Sequence, residues 1–248
     1  MRHFAKGFLI GTLCICLLGL VWLFAFQPRL TAQEAQDLKA QFTTIPTDDL
    51  SGDGPAGKEE PQLDFKALQT RYPDVKGWLT IPGTVVDYPV MQSSAQDPEK
   101  YLRRNYDMKW RMAGSLFFQF DCTADSRNLV IFGHNMNDGS MFADIAGYTQ
   151  ETYWREHPII QCDSLTRQRE YEVMAVLQFK DSEQAAQDYY SVPCDEMNFT
   201  EYISRLADAA LYDTGIQAVW GDQILALSTC SRQDSDSRIL VIARKTGL

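Results

Sequence analysis

Cysteine is scarce and irregularly spaced in this 248-residue sequence. Of the six cysteines, four lie after residue 26, namely Cys122, Cys162, Cys194 and Cys230. Small secreted domains that depend on disulfides carry cysteines far more densely, and no CxxC pair occurs here. The sequence therefore argues against a disulfide framework. If Cys230 is a working thiol, at most two of the other three can pair.

Histidine and clustered basic residues are also scarce. The chain has three histidines, and neither His134 nor His157 stands at ligand spacing from a cysteine, so a zinc site is not expected. The formal net charge is −10, and no basic stripe follows the N-terminal segment. Nucleic acid requires clustered lysine and arginine, so this composition argues against nucleic-acid binding.

A single long uncharged run stands near the N-terminus, from Gly7 to Phe26. A helix of this length spans roughly 30 Å at about 1.5 Å per residue, which is the thickness of the hydrocarbon core of a bilayer. Arg2 and Lys6 favour a cytoplasmic N-terminus and send the remaining chain outside the cell. We expect residues 1–6 to be cytoplasmic and residues 7–26 to be a single-pass signal anchor.

Two cleaved leader peptides are the alternatives to this anchor. The apolar core of a secretory signal usually has about 7–15 residues and ends at a small-x-small site, whereas this run is longer and lacks such a site. A lipoprotein signal would use Cys14 or Cys16, but the residues before them, Leu13 and Ile15, are too bulky for that processing. The uncleaved anchor therefore remains the preferred interpretation.

Residues 27–62 have the composition of a stalk. The segment from Thr31 to Phe42 predicts a short helix, and the Pro-, Gly- and Asp-rich stretch TTIPTDDLSGDGPAGKEEPQ predicts a flexible spacer. The globular domain is then expected at residues 63–248. A domain of that length can bury one hydrophobic core without help from disulfides.

Short apolar runs separated by polar turns predict a mainly β domain with about seven or eight strands. Sequential strands with short loops favour an antiparallel barrel or sandwich. A buried α/β sheet is the alternative, although helices do not alternate regularly with strands. Helices are predicted at residues 64–72, 97–106, within 142–157, and at 199–211.

The last two predicted strands, QILALST and RILVIAR, flank a polar loop from Ser231 to Ser237. In an antiparallel hairpin, Cys230 at the exit of one strand would lie beside Arg238 at the entry of the next. A free thiol is mostly protonated at neutral pH, and a neighbouring cation favours the thiolate and stabilises an oxyanion in acyl transfer. The plainer interpretation is a buried structural cysteine with a solvated arginine at the rim.

A thiol nucleophile needs a partner that transfers protons. His3 precedes the predicted anchor, and His157 is followed by a proline in a helix-to-strand junction. His134 leaves a predicted strand through a glycine and begins a polar loop, where functional side chains are often found. We therefore expect His134 to be the partner of Cys230, although alone it could equally be a surface histidine.

These residues carry a family resemblance. The pentapeptide ALSTC at residues 226–230, with Arg238 eight positions after the cysteine, resembles the T-L-x-T-C signature and downstream arginine of the sortases. Those proteins are membrane-anchored cysteine transpeptidases of Gram-positive bacteria. Ala226 replaces the first threonine of the signature, outside the reactive group. The segment GHNMNDGSMF at residues 133–142 resembles class B sortases most closely.

The resemblance covers about residues 64–248 and includes an inserted helical region, matched here by Ser182 to Gly215. It implies an eight-stranded sortase-type β-barrel preceded by a transmembrane helix. It also implies added helices at the N-terminus of the domain and between the sixth and seventh strands. No metal or organic cofactor is implied, and no site in the sequence indicates the calcium that some relatives use.

The same resemblance assigns roles to side chains. Cys230 is the expected nucleophile, His134 the general acid and base, and Arg238 the residue that binds substrate and stabilises the oxyanion. Arg232, two residues past the cysteine, and Arg244, roughly 20 Å along the strand, are rivals for the arginine role.

Two small side chains before the nucleophile are weaker candidates. Ser228 shares the Cys230 face of its strand by the two-residue period, and Thr229 lies between them. Both could contribute to substrate binding. The plainer interpretation of Ser228, which we favour, is a small residue near a groove.

The reaction that the resemblance implies is ping-pong acyl transfer. Cys230 would cleave a C-terminal sorting pentapeptide after threonine, and an amine of the peptidoglycan cross-bridge or lipid II would release the product. Surface proteins would thus be anchored to the wall of a Gram-positive cell, by a catalytic domain on the extracellular face of its membrane. A sortase that polymerises pilins through a lysine amine is the alternative within the family.

Two alternatives lie outside the family. One is a different cysteine hydrolase or an L,D-transpeptidase-like wall enzyme, although the second histidine and the preceding glycine typical of the latter are absent. The other is an anchored binding module without catalytic activity, in which Cys230 is structural.

Overall fold

The computed structural model describes residues 12–19, 22, 27–44, 62–165, 167–193, 195–231 and 236–247. Residues 12–19 are helical. Within these described ranges no helix has both the length and the apolar character needed to cross a membrane. Most of the predicted anchor and of the predicted spacer falls outside the described residues, and so do Cys194 and loop residues 232–235. The anchor therefore stays a prediction.

Besides residues 12–19, the described chain contains ten strands and five α-helices. The strands are β1 Thr43–Thr44, β2 Gln62–Leu63, β3 Val75–Thr80, β4 Asp87–Gln92, β5 Leu116–Phe118, β6 Asn128–Phe132, β7 Ile159–Asp163, β8 Glu170–Lys180, β9 Ile224–Cys230 and β10 Ser237–Lys245. The helices are α1 Gln27–Phe42, α2 Phe65–Arg71, α3 Glu151–Glu156, α4 Glu183–Tyr190 and α5 Glu196–Ala209. A 3-10 helix, Asp144–Thr149, precedes α3.

Strands β3 to β10 close into an eight-stranded barrel in the order β10-β8-β7-β3-β4-β5-β6-β9. This confirms the predicted mainly β barrel. The expectation of a purely antiparallel arrangement is wrong, because β4 pairs with β5 and β6 pairs with β9 in parallel. Both parallel pairs follow long connections, and a long connection can return the chain to the same end of the barrel before the next strand begins.

The continuous apolar runs of β9 and β10 are explained by burial on both faces. Leu225, Leu227 and Val241 belong to the core inside the barrel. Ala226 and Leu240, which alternate with them, pack with the outer helices. A strand covered on both sides loses the alternation of polar and apolar residues. These strands are therefore rigid supports for the residues at their ends.

Helices α4 and α5 lie between the sixth and seventh barrel strands, as predicted for residues 182–215. The apolar face of α5 is buried against the outside of the barrel through Phe199, Tyr202 and Leu206. This helix begins three residues before the predicted start because the Asp195 side chain accepts a hydrogen bond from the Asn198 backbone, an N-cap that the sequence reading overlooked.

Helix α1 is where we predicted a helix, but its surroundings differ from those of a stalk. Ala35 and Leu38 are buried, with Leu38 only 1% exposed, and Lys39 Nζ lies 2.7 Å from Asp87 on β4. Glu34 forms an ion pair with Arg111. The helix therefore packs on the barrel, because its spacing of small and apolar residues creates a buried stripe.

The predicted helix at 97–106 is wrong. That segment forms turns and isolated bridges. Its buried Tyr101 donates a hydrogen bond to Asp74, and the Asn105 side chain accepts from the backbone of Asp107 and Lys109 at 3.0 and 2.9 Å. Asparagine that bonds to nearby backbone groups offers the chain an alternative to helix.

Candidate active site

Cys230 is the last residue of β9 and is partly exposed. The antiparallel register of β9 and β10 pairs it with Arg238, as the predicted hairpin required. Arg238 Nη1 donates to Cys230 Sγ at 3.0 Å. Strand β10 begins at Ser237, so the connection between the strands is one residue shorter than predicted. The thiol and the guanidinium are therefore in direct contact at one edge of the barrel.

The other edge of the Arg238 guanidinium is held by Asp181. Arg238 Nε and Nη2 lie 2.7 and 2.6 Å from the same carboxylate oxygen, Asp181 Oδ2. Burial by itself lowers the pKa of Arg238, but the Asp181 hydrogen bond and the neighbouring Cys230 sulfur raise it above its ordinary value. Sequence reasoning missed Asp181, because only the pairing of β8 with β10 brings the residue after β8 to this position.

His134 follows β6 through Gly133, in a segment packed too tightly for a side chain at position 133. A Cβ there would stand 2.4 Å from Leu116 Cδ2 and 2.7 Å from Phe142 Cδ2. His134 Nε2 lies 2.9 Å from the Leu102 carbonyl oxygen. A carbonyl only accepts hydrogen bonds, so Nε2 carries the proton and Nδ1 is the basic nitrogen.

The electrostatics at His134 favour the neutral ring. Burial is the largest effect and lowers the pKa of His134 below its ordinary value, while the hydrogen bond to the Leu102 carbonyl raises it. The positive charges of Arg103 and Arg238 lower the pKa further. The influence of Arg238 shows that the histidine and the arginine beside Cys230 share one electrostatic environment.

The His134 loop and the Cys230 strand are joined by hydrogen bonds. Asn135 Nδ2 donates to the Cys230 carbonyl at 3.0 Å, and Thr229 Oγ1 donates to the Gly133 carbonyl at 2.8 Å. The Gly133 amide donates to the Ser228 carbonyl at 3.2 Å. Because β6 and β9 run parallel, their ends and these bonds hold the histidine and the cysteine at the same end of the barrel.

Ser228 and Thr229, the weaker candidates for substrate binding, are each 1% exposed. The Ser228 hydroxyl is 2.8 Å from the Tyr190 hydroxyl, and Thr229 bonds to the loop of His134. In the structure both side chains therefore connect elements around the site, and neither presents its hydroxyl to solvent.

Two rival residues, Arg244 and His157, lie away from the thiol. Arg244 is at the far end of β10, paired with Ile224, and its Nη2 is 3.4 Å from Glu172. The ring of His157 bonds through Nδ1 to the Pro82 carbonyl at 3.0 Å. Arg232 lies outside the described residues. Of the arginines that we considered and the structure describes, Arg238 is the one that contacts the thiol.

Two other described cysteines of the domain, Cys122 and Cys162, differ from Cys230 in exposure. Cys122 and Cys162 are buried and free, and burial raises the pKa of their thiols to about 11 and about 12. Both are therefore protonated at neutral pH. In the part of the chain that the structure describes, no cluster of three or more His, Cys, Asp or Glu residues could hold a metal ion.

Comparison with known proteins agrees with this geometry. Residues 79–246 match the family model of the Sortase domain. Sortase B of Listeria monocytogenes is 30% identical to this chain, over 97% of the chain and 97% of the relative.

Solved structures are similar as well. A sortase B from B. anthracis in complex with AAEK2 has a TM-score of 0.70 and 29% identity, covering 89% of this chain and 96% of the other. A Staphylococcus aureus sortase B–substrate complex, at 21% identity, covers 74% of this chain and 85% of the other with a TM-score of 0.66, which shows a common fold. With the family model and the curated relatives, the conclusion is that this chain belongs to the sortase family, is most like its class B members, and is a cysteine transpeptidase.

Proposed function

We propose that this transpeptidase cleaves a C-terminal sorting pentapeptide after threonine and joins the new carboxyl end to an amine of peptidoglycan or its lipid II precursor. The observation that carries the proposal is the 3.0 Å contact between Arg238 Nη1 and Cys230 Sγ, at the barrel end that also holds His134. A guanidinium at that distance stabilises negative charge on sulfur and on an adjacent oxyanion. The anchored substrates are surface proteins.

The first half-reaction forms a thioacyl-enzyme. The Cys230 thiolate attacks the threonine carbonyl, and Arg238 stabilises the negative charge that develops on its oxygen. The C–N bond then breaks, and His134 in its doubly protonated form gives the leaving amide nitrogen the proton held on Nδ1. Nε2 keeps its own proton, which the Leu102 carbonyl accepts in a hydrogen bond.

The second half-reaction reverses these steps with a different amine. The incoming amine attacks the thioester carbonyl, loses a proton to His134 Nδ1, and forms the new amide as the C–S bond breaks. The cycle returns Cys230 to the thiolate and His134 to its doubly protonated form. Atoms and protons balance without a metal or an organic cofactor.

We place the catalytic domain on the extracellular face of a Gram-positive membrane, held by residues 7–26 as a single-pass anchor. The charge pattern of Arg2 and Lys6 before the uncharged run supports this orientation. In the alternative within the family, a pilin lysine is the accepting amine and the product is a pilus.

Product analysis by mass spectrometry tests the proposal. The full-length protein is incubated with a library of sorting peptides and with candidate amines, including peptide N-terminal amines and a lysine side chain. A peptide–amine product that disappears in Cys230→Ala is expected, and the preferred amine distinguishes wall anchoring from pilus assembly. Cleavage without capture of any amine would favour a hydrolase, and no adduct on Cys230 with any peptide would contradict the proposal.

A matched pair of arginine variants assigns the charge role. Arg238→Lys keeps a positive charge but loses the planar fork, so we expect kcat/KM to fall about 100-fold or more. Arg244→Lys, on the same strand but at its far end, is expected to leave kcat/KM nearly unchanged. Equal losses of kcat/KM in the two variants would contradict the assigned role of Arg238.

A further inference from the structure

We propose that Asp181 is a positioning residue for the thiol, acting through Arg238; this rests on the proposed function of Cys230 and Arg238. The inference comes from the contacts of the three nitrogen atoms of one guanidinium. Nε and Nη2 lie 2.7 and 2.6 Å from Asp181 Oδ2, and Nη1 lies 3.0 Å from Cys230 Sγ. These contacts join Asp181 to Arg238 and Arg238 to Cys230, so Asp181 reaches the sulfur only through the guanidinium.

The planarity of the guanidinium makes the arrangement effective. Both contacts go to one carboxylate oxygen, so they hold the Nε–Nη2 edge toward Asp181 and direct Nη1, on the opposite side of the planar group, away from it. An arginine without this partner could turn about its flexible stem and leave the sulfur. Asp181 therefore determines where the positive charge points.

Asp181 is itself held in place by the barrel. It follows the last residue of β8, Lys180, which pairs with Ser237 at the start of β10. Its backbone N–H donates to the Asp236 carbonyl at 2.7 Å, within the connection that leads from Cys230 to Arg238. Asp181 is thus bonded through its backbone to the connection before β10 and through its carboxylate to Arg238 on β10.

Asp181 has two opposite effects on the thiol, and they can be separated. Orientation of Nη1 stabilises the thiolate, whereas the negative charge of Asp181 partly cancels the positive charge near the sulfur. The short, direct Nη1–Sγ contact favours orientation as the larger effect, because a hydrogen bond depends steeply on direction. The pair is partly exposed, with side-chain exposures of 32% and 38%, so solvent further weakens the more distant Asp181 charge.

The decisive measurement is the rate at which iodoacetamide alkylates Cys230 as a function of pH, read at that residue by mass spectrometry of the digested full-length protein. This reading avoids the other cysteines and needs no peptide substrate. In Asp181→Asn we expect the pH of half-maximal alkylation to rise, because the arginine loses its orientation. A fall or no change would overturn the proposal, since it would mean that charge cancellation is the larger effect or that Asp181 has no influence.

A double-mutant cycle asks whether Asp181 acts through Arg238. We expect Asp181→Asn to reduce kcat with the sorting peptide about 10- to 100-fold, the range for small misplacements in an active site, and to change KM little. In an Arg238→Ala background the same change should cost nothing further. Additive losses in the two backgrounds would overturn the proposal.

Two further variants control for a merely structural effect. Asp188→Asn breaks another partly exposed ion pair, with Arg205 at 3.0 Å, and is expected to leave alkylation and kcat unchanged. Asp181→Glu keeps the carboxylate and should recover part of the alkylation profile. If Asp181→Asn does not fold, the alkylation profile of Asp181→Glu is compared with that of Asp188→Asn instead. A normal alkylation profile in Asp181→Glu, combined with loss of binding to every sorting peptide, would count against the proposed function alone.

Discussion

The proton on His134 Nε2 is assigned by a single contact, the 2.9 Å bond to the Leu102 carbonyl. This assignment leaves Nδ1 as the nitrogen that can accept or donate a proton. Because burial, Arg103 and Arg238 together lower the pKa of His134, the doubly protonated ring that the proposed acylation requires is a minor species at neutral pH. The doubly protonated ring of His134 is therefore a stronger acid than an ordinary imidazolium, but only a small fraction of the molecules carry it.

The lowered pKa of His134 also predicts a dependence of stability on pH. The unfolded chain binds a proton near pH 6.5, the ordinary value, whereas the folded chain resists it. The resulting stabilisation is full above about pH 6.5 and is lost as pH falls through the lowered folded pKa.

We expect the melting temperature of the wild type to fall more between pH 7 and pH 5 than that of His134→Gln, which cannot titrate. Thermal unfolding followed by circular dichroism at both pH values measures the difference. Other groups titrate in both proteins and cancel in the comparison. Equal losses in the two proteins would contradict the assignment.

At the scale of elements, the close packing of β6 and its following loop is decisive for the site. Gly133→Ala would place a methyl group 2.4 Å from the Leu116 side chain and force neighbouring groups to move. We expect a loss of about 1–3 kcal/mol in the free energy of unfolding from overpacking, and kcat at least about 10-fold lower because His134 shifts. Denaturant unfolding and steady-state kinetics measure the two effects.

A distant glycine gives the control for this substitution. Gly215 has a φ of +72°, and an added Cβ there would meet no atom within 4 Å, so Gly215→Ala strains the backbone without moving the histidine. We expect it to lower stability and to leave kcat nearly unchanged. A comparable loss of kcat in both variants would mean that reduced stability, and not the position of His134, limits the reaction.

The elements that carry chemistry were largely predictable, and the contacts between them were not. The polar loop between two apolar runs was enough to place Cys230 beside Arg238, because a hairpin is a local structure. Asp181 and Leu102 contact the site through strand pairing and a long irregular segment, which no local pattern reports. The same limit explains the two parallel strand pairs and the wrong helix at 97–106, where buried Tyr101 and the Asn105 turn outweigh helix propensity.

At the scale of the whole molecule, helix α1 determines where the folded body begins. Leu38 is buried in a cluster with Leu68 and Trp78, separate from the barrel interior, so Leu38→Ala should cost about 2–5 kcal/mol in the free energy of unfolding, the range for a buried leucine. Gln36→Ala, two residues away on the exposed side of the same helix, should cost little. Urea denaturation measures both costs. A negligible cost for Leu38→Ala would mean that α1 belongs to the stalk and not to the folded body.

The packing of α1 also changes what the segment at 45–61 can do. Strand β1 pairs with β2, with Thr43 opposite Leu63, so the two residues that flank this segment lie close together. A segment whose two ends meet cannot act as a tether, whatever its length. In the proposed single-pass arrangement, the distance between Cys230 and the bilayer would therefore not depend on the length of the segment at 45–61.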